Sequence, residues 1–448
     1  MTMEEKRNAI CAFIVAGVLI LISLLYYEAN VYYIYLVVYI WFGVAYGLLL
    51  QYGRFCFASA FRDLFAIGVP RMIVGIIIAM TVFSLVTALL TANKMGTFHP
   101  GPLGIHEVIG GFIFGIGMVL AGGCASGTLY KTGEGNGTSL LALLGIVFSQ
   151  AILVNTSLFD KFLKGYAFKL PTITLAKTKV ISEMFPGSAK YFVGNFLINT
   201  VIPSILLILV VYLFWFRKGF MKRRMKKKKT GGKTLGGEFA GLWGLMMASK
   251  RTSIAGVLIG IVSGLHVWTM KGMQVKFGAS NFGYLLTRMG HVADVSSRGT
   301  VFDPGYWYIT TQEAQVGAWV FEKLGFNMRH NVFFGVMNGV PELWRNPALW
   351  MSIGIIGGSM MMALLNKEFA IKLPKGELIV WGLLGGIGMG IGARVALGCN
   401  IGAFFIRIAG GDPGGWLFGI GMVLGSYVSV KFFNWWTARK MATEMEAF

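Results

Sequence analysis

Two cysteines stand in matching glycine-rich stretches of the chain. The stretch GIGMVLAGGCASG occupies residues 115–127, and GIGARVALGCNIG occupies residues 390–402. Seven of the thirteen residues coincide without a gap, at a constant offset of 275, and the matched cysteines are Cys124 and Cys399. A thiol is a weak hydrogen-bond donor, and as a thiolate it is a nucleophile. The repeated pattern therefore predicts two equivalent thiol sites.

A third cysteine follows the same style of sequence. An apolar stretch ends at Gly53, and RFCFAS at residues 54–59 then places Cys56 sixty-eight residues before Cys124. The corresponding region of the second half, residues 275–288, contains glycine and serine but no cysteine. The sequence therefore predicts three thiols and one vacant position.

The composition indicates a membrane protein. Charged residues make up 13% of the 448 residues and hydrophobic ones 55%, whereas a soluble protein carries about 25% charged residues. Each apolar stretch is about long enough to cross a bilayer as a helix, apart from the shorter ones at 378–393 and 413–430. The predicted fold is an all-α integral membrane protein with nine or ten transmembrane helices. The stretches are 8–27, 31–53, 72–93, 108–130, 135–159, 191–216, 252–270, 346–366, 378–393 and 413–430.

A basic run accounts for much of the net charge of +21. Ten lysines and arginines lie in residues 217–233, directly after the apolar stretch 191–216. Such a run beside a transmembrane helix is typical of a cytoplasmic loop rather than of nucleic-acid binding. Contact with anionic lipid headgroups is a natural second role for it.

The matching motifs indicate an internal duplication. We place two pseudo-symmetric repeats at about 7–159 and 236–438, joined by a connector at 160–235 that holds one transmembrane helix and the basic loop. Residues 287–345 are richer in charge and aromatics, so we expect an extramembrane insertion there, with a short helix at 312–324.

The glycines upstream of each cysteine have two readings. Gly111, Gly115 and Gly122 recur at helical spacing and would line one close-packed helix face. Repeated halves with interrupted apolar segments are equally typical of secondary transporters, whose substrate sites lie at the repeat interface.

Helix packing explains the sequence around the cysteines themselves less well. Lys131 and Glu134 follow Cys124, and Arg407 and Asp412 follow Cys399, so neither stretch resembles a continuous helix in hydrocarbon. A helix that stops, turns and continues as a short re-entrant half-helix explains both. The N–H groups at such a helix start favour an anion.

These motifs resemble the YeeE/YedE family of inner-membrane proteins, on the residues GGCASG, LGCNIG and RFCFAS, over about 40–155 and 255–430. Members take up thiosulfate, and some are associated with selenium metabolism. The resemblance implies a multi-pass protein of the inner membrane, with re-entrant elements and with Cys56, Cys124 and Cys399 along a central path. It also implies a cytosolic TusA-like sulfur-carrier protein as a partner.

The expected substrate site comprises these three cysteines, the glycines Gly123 and Gly398 that precede two of them, and Arg54 as the first source of positive potential. We expect the thiols to stay protonated, because a thiolate would repel an anion. Lys131, Arg62 and Arg407 are further cations near the cysteines.

Three points stay open at this stage. The substrate can be thiosulfate or a selenium species. A membrane sulfurtransferase that forms a persulfide on Cys124 or Cys399 is a third reading, although no histidine lies in either motif to act as a base. Candidate proton sites are Glu107, Glu134 and Asp412.

The dispersed histidines and the absence of a CxxC pair argue against a zinc site, and no cofactor is expected.

Overall fold

The computed structural model describes residues 3–218, 235–279, 282–290, 305–329, 331–337 and 339–446. Within these ranges the chain is helical and contains no β-strand, only isolated bridges. The helices run over Met3–Ala29, Ile34–Gly53, Phe57–Ile67, Arg71–Ala92, Ile105–Leu120, Ala125–Gly133, Gly137–Val154, Ser157–Gly165, Lys179–Met184, Tyr191–Phe216, Leu235–Met246, Lys250–Lys276, Phe282–Arg288, Thr310–Lys323, Val332–Val336, Pro347–Leu365, Glu377–Val395, Asn400–Ala409 and Gly414–Glu446.

Ten helical segments of the described chain are long and apolar enough to cross a membrane. They coincide with the ten apolar stretches of the sequence, and the shortest of them, Gly137–Val154, has 18 residues. About 20 residues span the hydrocarbon core. The predicted all-α membrane fold is confirmed, with the larger of the two expected helix counts.

The first helix lies at the periphery. Only 17% of the most apolar window in Glu5–Ala29 is buried, and side chains such as Phe13 and Leu21 are more than half exposed. Exposed apolar side chains on a helix of this length suit contact with lipid. The main core instead lies around the three cysteines and the aromatic side chains near them.

Helices of one half pack in pairs with helices of the other half. The pairs are Ile34–Gly53 with Pro347–Leu365, Lys250–Lys276 with Arg71–Ala92, Ile105–Leu120 with Gly414–Glu446, and Glu377–Val395 with Gly137–Val154. Each helix of one half thus rests on a helix of the other. Two pseudo-symmetric repeats would pack in this way, and the duplication stays a prediction.

Glycines let these helices touch backbone to backbone. A Cβ at Gly47 would lie 2.2 Å from the Ile355 carbonyl oxygen, and one at Gly354 would lie 2.4 Å from the Ile40 oxygen. Contacts this close leave no room for a side chain. Small residues therefore set the spacing of the helices.

The predicted packing role of the repeated glycines is confirmed for two of the three. A Cβ at Gly111 would lie 2.4 Å from the Phe418 carbonyl oxygen, and one at Gly115 would be 2.4 Å from that of Met422. Gly122 differs, because it has nothing within 4 Å and a φ of +67°. It ends a helix instead of joining the packed face.

Part of the segment expected outside the membrane lies inside the protein. The expected short helix is present as Thr310–Lys323 and packs against Gly137–Val154. Trp307 stacks on Tyr46 with ring centroids 4.3 Å apart, and both side chains are buried. This stretch therefore contributes to the core, while residues 291–304 lie outside the described residues.

Most of the basic connector also lies outside the described residues, which resume at residue 235. Arg217, at its start, donates to the Glu238 carboxylate at 2.6 Å. The cytoplasmic position of the basic loop stays a prediction.

We expect Gly47→Ala to lower the free energy of unfolding by about 1–3 kcal/mol, because the added methyl group meets the Ile355 carbonyl and forces the helices apart. Thermal unfolding in detergent measures this. Gly17→Ala is the matched control, since nothing lies within 4 Å of Gly17, and there alanine favours the helix. Equal melting temperatures for the two variants would contradict the packing role.

Candidate functional site

All three buried cysteines lie at the same place in a broken helix. In each case a long helix ends at a residue in the left-handed conformation, one residue follows, and the cysteine is the N-cap of a second, short helix. The three cysteine side chains are at most 1% exposed. The left-handed residues are Arg54, Gly122 and Leu397.

Each of the three long helices that precede a cysteine ends with the same pattern of backbone hydrogen bonds. Gly123 N–H donates to the Met118 carbonyl at 3.1 Å, and Gly398 N–H donates to that of Ala393 at 2.8 Å. Phe55 N–H makes the equivalent bond to Leu50 at 2.8 Å. This is the Schellman pattern, which satisfies carbonyls that a helix end otherwise leaves free. The N–H groups of Gly123 and Gly398, both predicted site residues, are thus engaged in capping, and their role toward substrate stays a prediction.

The short helices begin alike as well. Thr128 N–H donates to the Cys124 carbonyl at 2.7 Å, and Ala403 N–H donates to the Cys399 carbonyl at 2.7 Å. Thr128 and Ala403 are 275 residues apart, as are Cys124 and Cys399. The helix dipole then places its positive end at the cysteine.

Cys56 and Cys124 form a thiol pair. Their Sγ atoms are 3.9 Å apart, and Gly127 N–H donates to Cys124 Sγ at 3.3 Å. The Cys124 sulfur accepts that bond, so its own hydrogen is available to Cys56 or to a ligand. A Cβ at Gly127 would lie 2.7 Å from Cys56 Sγ. Glycine at this position is what allows the two thiols to approach.

Cys399 lacks a thiol partner, and an aromatic ring takes the equivalent place. Gly402 corresponds to Gly127 by the offset of 275, and the ring of Tyr308 lies 3.1 Å from a Cβ built there. The Thr310 hydroxyl is a hydrogen-bonding neighbour of the Cys399 thiol. The segment 305–311 thus supplies neighbours of the Cys399 thiol, and the vacant position expected at residues 275–288 stays a prediction.

A cavity of about 440 Å³ adjoins Cys399. Thr310, Thr311, Gly402 and Arg407 line it together with Cys399. The cavity is large enough for a small anion and places hydroxyl groups beside the thiol.

Arg407, one of the predicted cations, is neutralised where it stands. Its guanidinium contacts Glu107 Oε1 and Asp412 Oδ2 at 2.7 Å each, and its Nη2 donates to the Pro102 carbonyl at 3.2 Å. Glu107 and Asp412 are fully buried. The cluster joins the two halves. Its two carboxylates neutralise the charge of the one guanidinium.

The cations near Cys56 and Cys124 lie toward the surface. Arg54 is paired with Glu368 at 2.8 Å, and its side chain is 66% exposed. Lys131 Nζ donates to the Gly122 carbonyl at 2.5 Å. Arg62 is paired with its neighbour Asp63 at 3.0 Å. Of these three, Lys131 adds positive potential at the Cys56 thiol.

Sequence reasoning passed over one arginine that stands inside the second motif. Arg394 is 0% exposed, and its Nη2 donates to Thr310 Oγ1 at 2.9 Å. The signal was present, since the corresponding position of the first motif is the apolar Val119 and an arginine within a transmembrane stretch is seldom there for packing alone. Glu313, also buried and acting on Cys399, was missed because it lies in the segment assigned to the outside.

The part of the chain that the structure describes contains no group of three or more histidine, cysteine, aspartate or glutamate side chains placed to hold a metal ion.

We expect the membrane-permeant oxidant diamide to join Cys56 and Cys124 in a disulfide, because a modest movement brings sulfurs 3.9 Å apart to bonding distance. Peptide mapping without reductant measures the yield. Gly127→Ala should lower it by separating the two thiols, whereas Cys399→Ala should leave it unchanged. A bridge from Cys399 to either cysteine would contradict this geometry.

Comparison with known proteins shows the family to which the chain belongs. The family model for sulphur transport matches residues 52–428. A thiosulfate transporter TsuA from Spirochaeta thermophila is 28% identical over 388 residues, which cover 86% of this chain and 95% of that protein. TsuA from Escherichia coli is 26% identical over 392 residues, which cover 86% of this chain and 91% of that protein.

A shorter match links the chain to a second group of relatives. The probable transporter YedE from Escherichia coli is 37% identical over 146 residues, 31% of this chain and 33% of that protein. Because the family match extends over most of the chain, this protein belongs to the sulphur transport family, which includes the YeeE and YedE proteins.

Proposed function

We propose that this multi-pass inner-membrane protein takes up thiosulfate through a central path on which Cys56, Cys124 and Cys399 bind the ion in turn. Family membership and ten spanning helices support a non-enzymatic transporter of a small sulfur-containing anion. The two relatives named as thiosulfate transporters, aligned over 86% of this chain, support the choice of substrate.

The observation that carries the proposal is the threefold recurrence of one break. Each cysteine is the N-cap of a short helix after a left-handed residue, in a segment buried inside the protein. A helix N-terminus offers positive potential to an anion without a mobile counter-charge. The thiol and the helix end then act together on the same ligand.

Thiols suit thiosulfate because both are soft and weakly hydrogen-bonding. The terminal sulfur of the dianion is polarizable, and an S–H group donates to it only weakly. A path with several weak sites lets the ion leave each one, whereas one deep site would hold it. Cys56 and Cys124, 3.9 Å apart, form one such station, and Cys399 beside its cavity forms another.

Uptake of labelled thiosulfate into proteoliposomes tests the proposal. We expect Cys56→Ala, Cys124→Ala and Cys399→Ala each to lower uptake by about threefold to tenfold, because one lost hydrogen bond costs about 0.5–1.5 kcal/mol. Cys11→Ala is the matched control, since Cys11 is only partly buried and lies outside all three breaks. Full uptake in all three site variants would contradict the proposal that the three cysteines bind the ion in turn.

Two further arms distinguish the alternatives. Selenite that competes better than thiosulfate would leave the path standing and change the substrate to a selenium species. An extra sulfur on Cys124 or Cys399, detected by mass spectrometry after incubation with thiosulfate, would indicate a sulfurtransferase instead. A TusA-like carrier on the cytosolic side is the expected acceptor of the transported sulfur.

The role of Arg54 can be tested without disturbing the fold. Arg54 has a φ of 51°, a conformation in which glycine is less strained, so Arg54→Gly keeps the break and removes the charge. We expect KM for thiosulfate to rise about fivefold at low salt, from the roughly 1 kcal/mol that one charge exerts on a dianion at about 8 Å in water. The difference should vanish near 1 M salt. A KM that is unaffected at low salt would exclude Arg54 from substrate attraction.

A further inference from the structure

Arg394, Glu313 and Cys399 are buried ionisable side chains that act on one another electrostatically, and Arg407 and His99 line the cavity beside Cys399. The electrostatic influences on buried Arg394 come from Cys399 and Glu313, and Glu313 in turn acts on the thiol. Arg394 is the charge that acts on Glu313. The helices packed on the Glu313 helix, Gly137–Val154 and Pro347–Leu365, carry no charged residue.

The guanidinium of Arg394 is incompletely paired. Nη2 donates to Thr310 Oγ1 at 2.9 Å, and the Phe333 ring lies 4.8 Å from Cζ. Nε and Nη1 have no hydrogen-bond acceptor among the described residues. A fully buried cation with free donors is costly unless an anion or another acceptor meets it. Arg407 differs, because two carboxylates and a carbonyl already occupy its guanidinium.

The Glu313 carboxylate is equally unsatisfied. The side chain is 4% exposed, and neither oxygen has a hydrogen-bond donor in the described parts of the chain. No direct ion pair joins it to Arg394 within these residues, so the two act on each other electrostatically without a hydrogen bond. Glu313 lies on Thr310–Lys323, outside the ten spanning helices, and burial raises the pKa of its carboxyl well above the ordinary value.

We propose that Arg394 is the positive charge that holds the anion at Cys399, and that Glu313, at a pH above its pKa in the free protein, takes up a proton when the anion binds there. Thr310 connects the parts, because its hydroxyl accepts from Arg394 and faces both Cys399 and the cavity. This inference rests on the proposed transport of thiosulfate and adds the ion that is bound with it.

The physical reason is charge balance in a buried site. When no anion is present and the pH is above the pKa of Glu313, the ionised Glu313 carboxylate compensates Arg394. A dianion beside Arg394 replaces that compensation, and a second negative group nearby then becomes unfavourable. Protonation of Glu313 removes the repulsion. Anion binding and proton binding therefore favour each other, and by linkage each strengthens the other to the same degree.

The sign of the pH dependence follows. At a pH above the pKa of Glu313 in the free protein, binding must be accompanied by proton uptake, so the affinity for thiosulfate rises as pH falls. For one proton the change is at most about tenfold in Kd per pH unit. Once pH is below that pKa the site is already protonated, and the affinity becomes constant.

Isothermal titration calorimetry of the purified protein in detergent, in buffers of different ionisation enthalpy, counts the protons. Thiosulfate is the anion of a strong acid, so protons taken up near neutral pH belong to the protein. At a pH above the pKa of Glu313 in the free protein we expect about one proton per bound thiosulfate for the wild type and none for Glu313→Gln, whose affinity should be independent of pH. Glu313→Asp should restore proton uptake.

Two comparisons make the outcome specific. Glu322→Gln is the matched control, because Glu322 lies on the same helix and is paired with Arg329 at 2.9 Å; it should behave as the wild type. Glu107→Gln tests the other buried carboxylate near the cavity. Wild-type binding without proton uptake over the whole pH range in which the protein stays folded, or uptake that persists in Glu313→Gln, would overturn the inference while the proposed function stands. Absence of thiosulfate binding would overturn the function, and sulfate would then serve as the probe anion for the proton count.

Discussion

Everything in this fold depends on how a helix can be interrupted inside a membrane. Backbone N–H and C=O groups that lose their partners in a dry environment cost several kcal/mol each. Each of the three breaks meets this constraint with the same Schellman bonds, and a cysteine then begins the next helix. The geometry that makes the break tolerable is also the geometry that presents a buried thiol at a helix N-terminus.

The same break has different surroundings in the two halves. Around Gly127 two thiols meet at 3.9 Å, whereas around Gly402 the corresponding place is taken by the ring of Tyr308. The second site also gains a buried arginine, Arg394, where the first motif has valine. The first site thus brings two thiols together, and the second combines one thiol with a buried arginine and a buried carboxyl group. On the proposed path the anion would meet two kinds of environment.

The helices could be predicted well because hydrophobic length is a local property. All ten stretches reappeared as spanning helices, and close packing at Gly111 and Gly115 followed from their spacing. Gly122 did not follow, since its φ of +67° depends on where the helix ends. Residues 287–345 were expected outside the membrane because they are rich in charge and aromatics, and their place relative to the membrane stays a prediction. The burial of residues 305–318 in the protein could not be predicted, because it involves contacts such as the stacking of Trp307 on Tyr46, between residues far apart in the chain.

By itself, the sequence determined the membrane setting, the three cysteine elements and the duplicated pattern of their breaks, because apolar length and turn residues act locally. Only the tertiary structure decided which side chains surround each thiol. Arg394 meets Thr310 across 84 residues of sequence, and no periodicity links the two. Buried polar side chains are positioned by packing in three dimensions, so the buried charges that act on the Cys399 thiol became visible only in the folded protein.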